Sequence, residues 1–306
     1  MNGVGAVAPV TRRVRAYFAP VDRTTETPCL FDAAQTGRFA LDAPPAPWID
    51  LGWCSGFKRS SGAPKGSMIA ALRSGAPAMT FAQVRTEVEA TVELEFASWG
   101  KRQMALSSGS QQMNLLATTS GAAPNGSGGT SATAIPLQPA STASSLNVGS
   151  AATAFFIGDL VGAGVSGAYV RSAADVNSDL NYIRRVSLNV GRVASIADNA
   201  LQLEAPLLAG APAAGMQVSR MVGFVDREGG SFFQEWSALF VMGGERGDRV
   251  IYHYPRLQAM QSAAEAAETL TAPLTRIRLA GAFRALPVRD ASDGEMVLCF
   301  RSYLPA

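Results

Sequence analysis

Histidine and cysteine are scarce here: 306 residues contain one histidine, His253, and three cysteines, Cys29, Cys54 and Cys299. A hydrolytic triad needs a base beside its nucleophile, and a lone histidine between two tyrosines in a strand-like stretch reads more simply as a structural residue. The three cysteines lack the spacing of a zinc site and read as reduced, buried thiols, with one disulfide left open. Charge is also thin. Only 16% of residues are charged, and 26 Lys and Arg face 24 Asp and Glu, a net +2. That balance excludes a nucleic-acid reader built on a basic patch. No glycine pair is followed by the Lys-Ser/Thr of a phosphate loop. No apolar run approaches about 18 residues, so no membrane insertion is expected. No basic-then-apolar leader is seen, and the chain is expected to fold inside the cell. No cofactor and no metal are expected.

What is present is a strict alternation. Val84, Thr86, Val88, Ala90, Val92, Leu94 and Phe96 are apolar or β-branched, and Arg85, Glu87, Glu89, Thr91, Glu93 and Glu95 lie between them. A period of two puts each set on its own face of a strand, whereas a helix would spread the glutamates round its circumference. Residues 84–98 therefore predict one long strand. Its thirteen residues up to Phe96 would span about 43 Å at ~3.3 Å each. The core face is Val88, Val92, Leu94 and Phe96, and the wet face is a row of Glu87, Glu89, Glu93 and Glu95. Like charges along one strand repel, so either cross-strand cations or the surface's task must compensate.

Three readings of the row stay open. It is a solvated sheet face with Arg276 and Arg278 as cross-strand partners, or the carboxylate pair of a glycosidase, or the wall of a conduit for a polyanion. Carboxylates two residues apart on a strand are about 7 Å apart, within the range glycoside hydrolysis uses. Such sites add aromatic platforms and polar clamps, and here the alternation simply continues.

The rest reads as mainly β. Strands are expected at 14–18, 48–57, 68–72, 236–242, 249–254, 274–286 and 295–303, with a hairpin loop at 243–248. Residues 1–10 read as an arm on a neighbour or as a frayed terminus. A short helix covers 99–106, stopped by Gly109. Residues 118–150, rich in Gly, Ala, Ser and Thr, read as a flexible linker or a lid. Short strand signals at 155–161, 186–196, 200–203 and 216–222 make 151–225 a small inserted β-barrel or sandwich, with Gly191 as a bulge glycine. Residues 260–270 are Ala- and Glu-rich and read as a turn or two of helix, or as a loop.

In this order the elements over 10–116 and 232–304 resemble the tail tube (major tail) proteins of tailed bacteriophages. The likeness rests on pattern: the strand with Leu51-Gly52, the alternating strand to Phe96, the helix closed by Gly109 and the late strand pairs. It implies a tail-tube domain in two parts, 1–117 and 226–306, with a β-sandwich, a flanking short helix and long strands that join an inner barrel shared by an oligomer. It further implies a non-enzymatic virion protein, assembled in the host cytoplasm, forming stacked sixfold rings. Its partners would be itself, the tape-measure protein and tail-end proteins, with DNA passing only in transit. Glu87, Glu89, Glu93 and Glu95 would face the lumen, although the faces could be inverted, and Arg276 and Arg278 would temper that charge or bind the next subunit. The insertion would decorate the outside. The rivals are a tail terminator or capsid-decoration protein, and a β-rich carbohydrate-active enzyme.

Overall fold

The computed structural model describes residues 13–22, 25–36, 40–42, 44–45, 47–61, 65–71, 79–87, 89–120, 130–131, 133–165, 188–213, 215–228, 234–244, 247–260, 265–271 and 274–305. The expected N-terminal arm and Val88 lie outside them.

The first stretch gives β1 (Val14–Pro20), a short helix α1 (Ala33–Thr36), β2 (Ile49–Ser61), β3 (Lys65–Ala71), β4 (Met79–Glu87), β5 (Ala90–Phe96) and α2 (Lys101–Ser108). The single long strand expected over 84–98 is two strands. Among the described residues β4 pairs only with β3, in a separate two-stranded ribbon, while β5 lies between β2 and another strand. The β2–β5 ladder ends at Ser61 opposite Ala90, and there the chain changes partner. Alternation continued across this point because both halves are strands. The helix ends where expected: Gly109 takes the left-handed conformation (φ 63°) and its N–H bonds the Ala105 carbonyl, a geometry that glycine adopts without a Cβ clash.

The middle stretch runs through β6 (Gln111–Leu116), β7 (Thr118–Ser120), β8 (Thr130–Ser131), β9 (Ile135–Pro136), β10 (Ser145–Asn147), a 3₁₀ turn (Gly149–Ala154), β11 (Leu160–Gly164), β12 (Val190–Ala197), β13 (Ala200–Leu203) and β14 (Gln217–Arg227). β10-β13-β12-β11-β14-β6 form one antiparallel sheet in that order, with β9 also on β14. Its core holds Leu146, Val148, Phe155, Val161, Val193, Leu201 and Val218. The inserted unit therefore starts at β6, inside the stretch assigned to the first tail-tube part, and the expected linker supplies Leu146 and Val148 to its core. Gly191 is not the bulge. The register shift against β13 falls between Val193 and Ser195, and a Cβ on Gly191 would sit 2.9 Å from Leu203 Cδ1, so close packing selects glycine there.

The last stretch gives β15 (Glu235–Gly243), β16 (Arg249–Ala259), β17 (Glu265–Thr271), β18 (Leu274–Ala285), β19 (Val288–Arg289), β20 (Met296–Val297) and β21 (Phe300–Leu304). Over 265–270 the expected turn of helix or loop is corrected to strand, while 261–264 lie outside the described residues: β17 pairs with β18 from Glu265 opposite Leu279 to Thr271 opposite Leu274, and ladder bonding outweighs the helix preference of Ala and Glu. β18, β5, β2, β1, β15 and β16 follow one another, and β16 pairs back onto β18 at Leu257–Ala285 and Ala259–Phe283. Six strands thus close an antiparallel barrel within one chain. Phe18, Trp236, Phe240, Tyr254 and Phe283 fill it, with Phe18 5.4 Å from Phe283 and 6.0 Å from Phe240, edge to face. Such ring pairs add about 0.5–1.5 kcal/mol each beyond burial.

Candidate functional site

β5 carries the features that the alternation picked out. Val92, Leu94 and Phe96 are buried in the barrel core, while Glu93 is exposed and Glu95 half-buried on the outer face. Glu89, just before β5, is exposed on the surface. Glu87 belongs to β4, a different strand from β5, and its register partner is Lys65 of the ribbon.

Each glutamate of the barrel wall meets a cation from a neighbouring element. On β18, Arg278 donates from Nε to Glu95 Oε1 at 2.7 Å and from Nη2 to Oε2. The two residues sit diagonally, since Glu95 lies opposite Ala280. On β2, Lys58 lies opposite Glu93, with Nζ 3.7 Å from Oε2. Arg284 Nη2 is 3.0 Å from Glu89 Oε1. The repulsion that the sequence posed as a puzzle is therefore met by cross-strand pairing. The register partner of Arg276 is Glu268 of β17. Lys58 and Arg284 are the partners that sequence reasoning left unassigned. Lys58 lay one residue past the expected end of its strand, and a register shift between Ser55 and Lys58 sets its place opposite Glu93.

A cavity of about 400 Å³ opens beside this wall, lined by Glu95, Phe96, Ala97, Ser98, Trp99, Ile277 and Arg278. Among the described residues its lining includes one carboxylate, whereas a glycosidase mechanism places two about the scissile bond. Trp99 and Ile277 are exposed there.

Of the scarce residues, His253 and Cys29 lie on the opposite wall, while Cys54 is on β2, opposite Phe96 of β5. His253 on β16 is buried, stacked on Phe300 at 5.8 Å, edge-on to Trp48, with Nε2 3.3 Å from the Cys29 carbonyl. Burial lowers its pKa to about 4, which holds the ring neutral. Burial likewise pushes the Cys29 thiol up to about 11 and the Cys54 thiol to about 12, away from the thiolate that reacts. All three cysteines are free. Among the described residues, no three His, Cys, Asp or Glu side chains gather as a metal site would need, and no helix is long and apolar enough to cross a membrane.

No protein-family model matches this chain, and no curated protein matches it in sequence.

Proposed function

We propose that this protein is a structural, non-enzymatic subunit that assembles with copies of itself into the stacked, sixfold rings of a phage tail tube, its barrel standing in the place of the family's sandwich. The observation that supports this reading is the pair of spare strands. Six strands suffice to close the barrel, yet β17 and β21 hang at the two ends of the sheet order, each with one edge that pairs with no strand among the described residues. Spare edges recruit other chains, and a contact between one subunit's first end and its neighbour's second end is heterologous, the kind that repeats round a ring.

The charged wall fits the lumen in this reading. Three carboxylates and three cations engage one another on it, so it offers passing DNA no cluster of cations to hold its phosphates. The inserted unit would lie outside, and tape-measure and tail-end proteins would complete the tail.

Electron microscopy of the purified chain, incubated at high concentration, tests the reading. Stacked rings with an open channel are expected. Single rings or trimers that never stack would favour a terminator or decoration protein, and a chain that stays monomeric while turning over a glycan would replace the reading with an enzyme.

A further inference from the structure

The inserted unit presents an apolar turn to solvent just before β11. The 3₁₀ turn that ends at Ala154 leads into Phe155, which is buried in that unit's core, while the next two side chains are open: Phe156 is 63% exposed and Ile157 71%. Gly158 has φ 91°, and the Asp159 N–H bonds the Phe156 carbonyl at 3.1 Å, so residues 156–159 form a tight turn of the type II kind. We infer that this tip is a lipid-contacting element, which sets Phe156 and Ile157 into the surface of a zwitterionic, phosphatidylcholine-like bilayer.

Three features favour lipid over a protein partner. The first is area. An aromatic side chain buries about 150–250 Å², so this pair falls well short of the ~1,000 Å² that a stable protein interface needs, whereas a soft bilayer accepts a small convex tip. The second is the backbone. The Phe156 N–H donates to Asp159 Oδ2 at 2.9 Å, the Gly158 N–H to the Val193 carbonyl at 2.8 Å and the Val193 N–H to the Asp159 carbonyl at 2.9 Å. Arg192 Nη1 donates to the Gly158 carbonyl at 3.1 Å. These groups keep their partners when water is withdrawn, the condition that an apolar medium sets. The third is charge. At the base of the turn Arg192 lies 3.8 Å from Glu204 and Arg220 3.9 Å from Asp159. Two cations and two carboxylates balance there, which matches a headgroup of one phosphate and one ammonium better than a surface of net charge.

The inference goes beyond the ring reading and does not need it, since the tip belongs to the single subunit; stacked rings would only repeat it and add avidity. Sedimentation of the purified chain with phosphatidylcholine vesicles tests it. Binding should rise with lipid, stay weaker than the about 10⁴ M⁻¹ of one myristoyl chain, and be the same at low and high salt. The double variant Phe156→Ser, Ile157→Ser should bind at least about tenfold more weakly, through the lost apolar burial, with an unchanged unfolding curve. Val165→Ser, which removes an exposed apolar side chain just past the far end of β11, should bind as the wild type does. Absence of vesicle binding by the wild type, or equal binding by the double variant, overturns the inference. So does binding that requires anionic lipid and falls with salt, and so does self-association, without vesicle binding, that the double variant abolishes, which would give the tip to a second copy of the chain.

Discussion

The barrel has two unlike walls. On β1, β15 and β16 the outward residues Tyr17, Leu239, Val241 and Ile251 are as buried as the inward ones, because Trp48, Phe31, Leu41 and Leu304 pack over them. On β5 burial alternates, and β2 and β18 turn Lys58, Arg278 and Arg284 to the outside. One sheet thus writes two sequence patterns. A wall wetted on one side writes alternation, as in Ala-Thr-Val-Glu-Leu-Glu-Phe, and a wall covered on both sides writes an unbroken run, as in Trp-Ser-Ala-Leu-Phe-Val-Met. The single histidine, His253, lies on the covered wall against Trp48, and the Glu–Arg and Glu–Lys pairs lie on the open one.

Substitution at matched outward positions breaks this contrast most sharply. Leu239→Glu should cost more than about 4 kcal/mol, since it buries a carboxylate among Tyr17, Trp48, Val241 and Ile251, whereas Ser60→Glu on β2 should stay within about 0.5 kcal/mol. Urea unfolding of the two variants reads the difference. Equal costs would mean that Phe31, Leu41 and Trp48 do not seal the first wall.

Acid should loosen the covered wall selectively. The folded pKa of His253, about 4, lies below its unfolded value, so protons favour the unfolded chain. The stability tied to the neutral ring is complete above about pH 6.5 and is lost as pH falls toward 4, in all about 3 kcal/mol. Asp226 works in the other direction: burial raises it to about 6, so its contribution is present at low pH and fades as pH rises through 6. His253→Phe keeps the ring between Trp48 and Phe300 and should remove the acid-dependent loss, which unfolding curves from pH 7 to 4 of both proteins would show. A parallel loss in the variant would assign the acid sensitivity elsewhere.

The smallest effect belongs to the open wall. A double-mutant cycle on Glu95 and Arg278, the best-buried of its pairs, should give a coupling of about 0.5–1 kcal/mol that shrinks in salt. The same cycle on Glu93 and Lys58, both more than half exposed and 3.7 Å apart, should give nearly zero. A larger value at the second pair would show that the ladder acts as a network.

Local signals in the sequence located local structure. Gly109 marks the end of α2, β15 and β16 pair antiparallel on either side of the expected turn, and the alternation of β5 separates Val92, Leu94 and Phe96 from Glu93 and Glu95. What failed depended on distant partners. No pattern within 84–98 records that β4 pairs with β3 and β5 with β2 and β18. None in 265–271 says that β18 will draw an Ala- and Glu-rich stretch into a strand. The closure of six strands rests on three residue pairs between β16 and β18, and Lys58 reaches Glu93 only through a register shift. The inserted unit's edge was misplaced for a like reason: β6 looks like any strand following a helix, and only its ladder with β14 assigns it to the second sheet.

That inserted unit also sets the order in which the molecule can be made. β1 pairs with β15, Ala16 opposite Phe240, and all of the second sheet comes between β5 and β15 in the chain. During synthesis β1, β2 and β5 emerge early as a half-barrel and must wait for the other half. Non-local pairing of this kind folds slowly, and a waiting strand edge is open to wrong partners. The middle of the chain has a core of its own to gather in the meantime, and compacting it shortens the span that β15 must cross. The nascent protein is therefore at greatest risk of mispairing before residue 285 has left the ribosome.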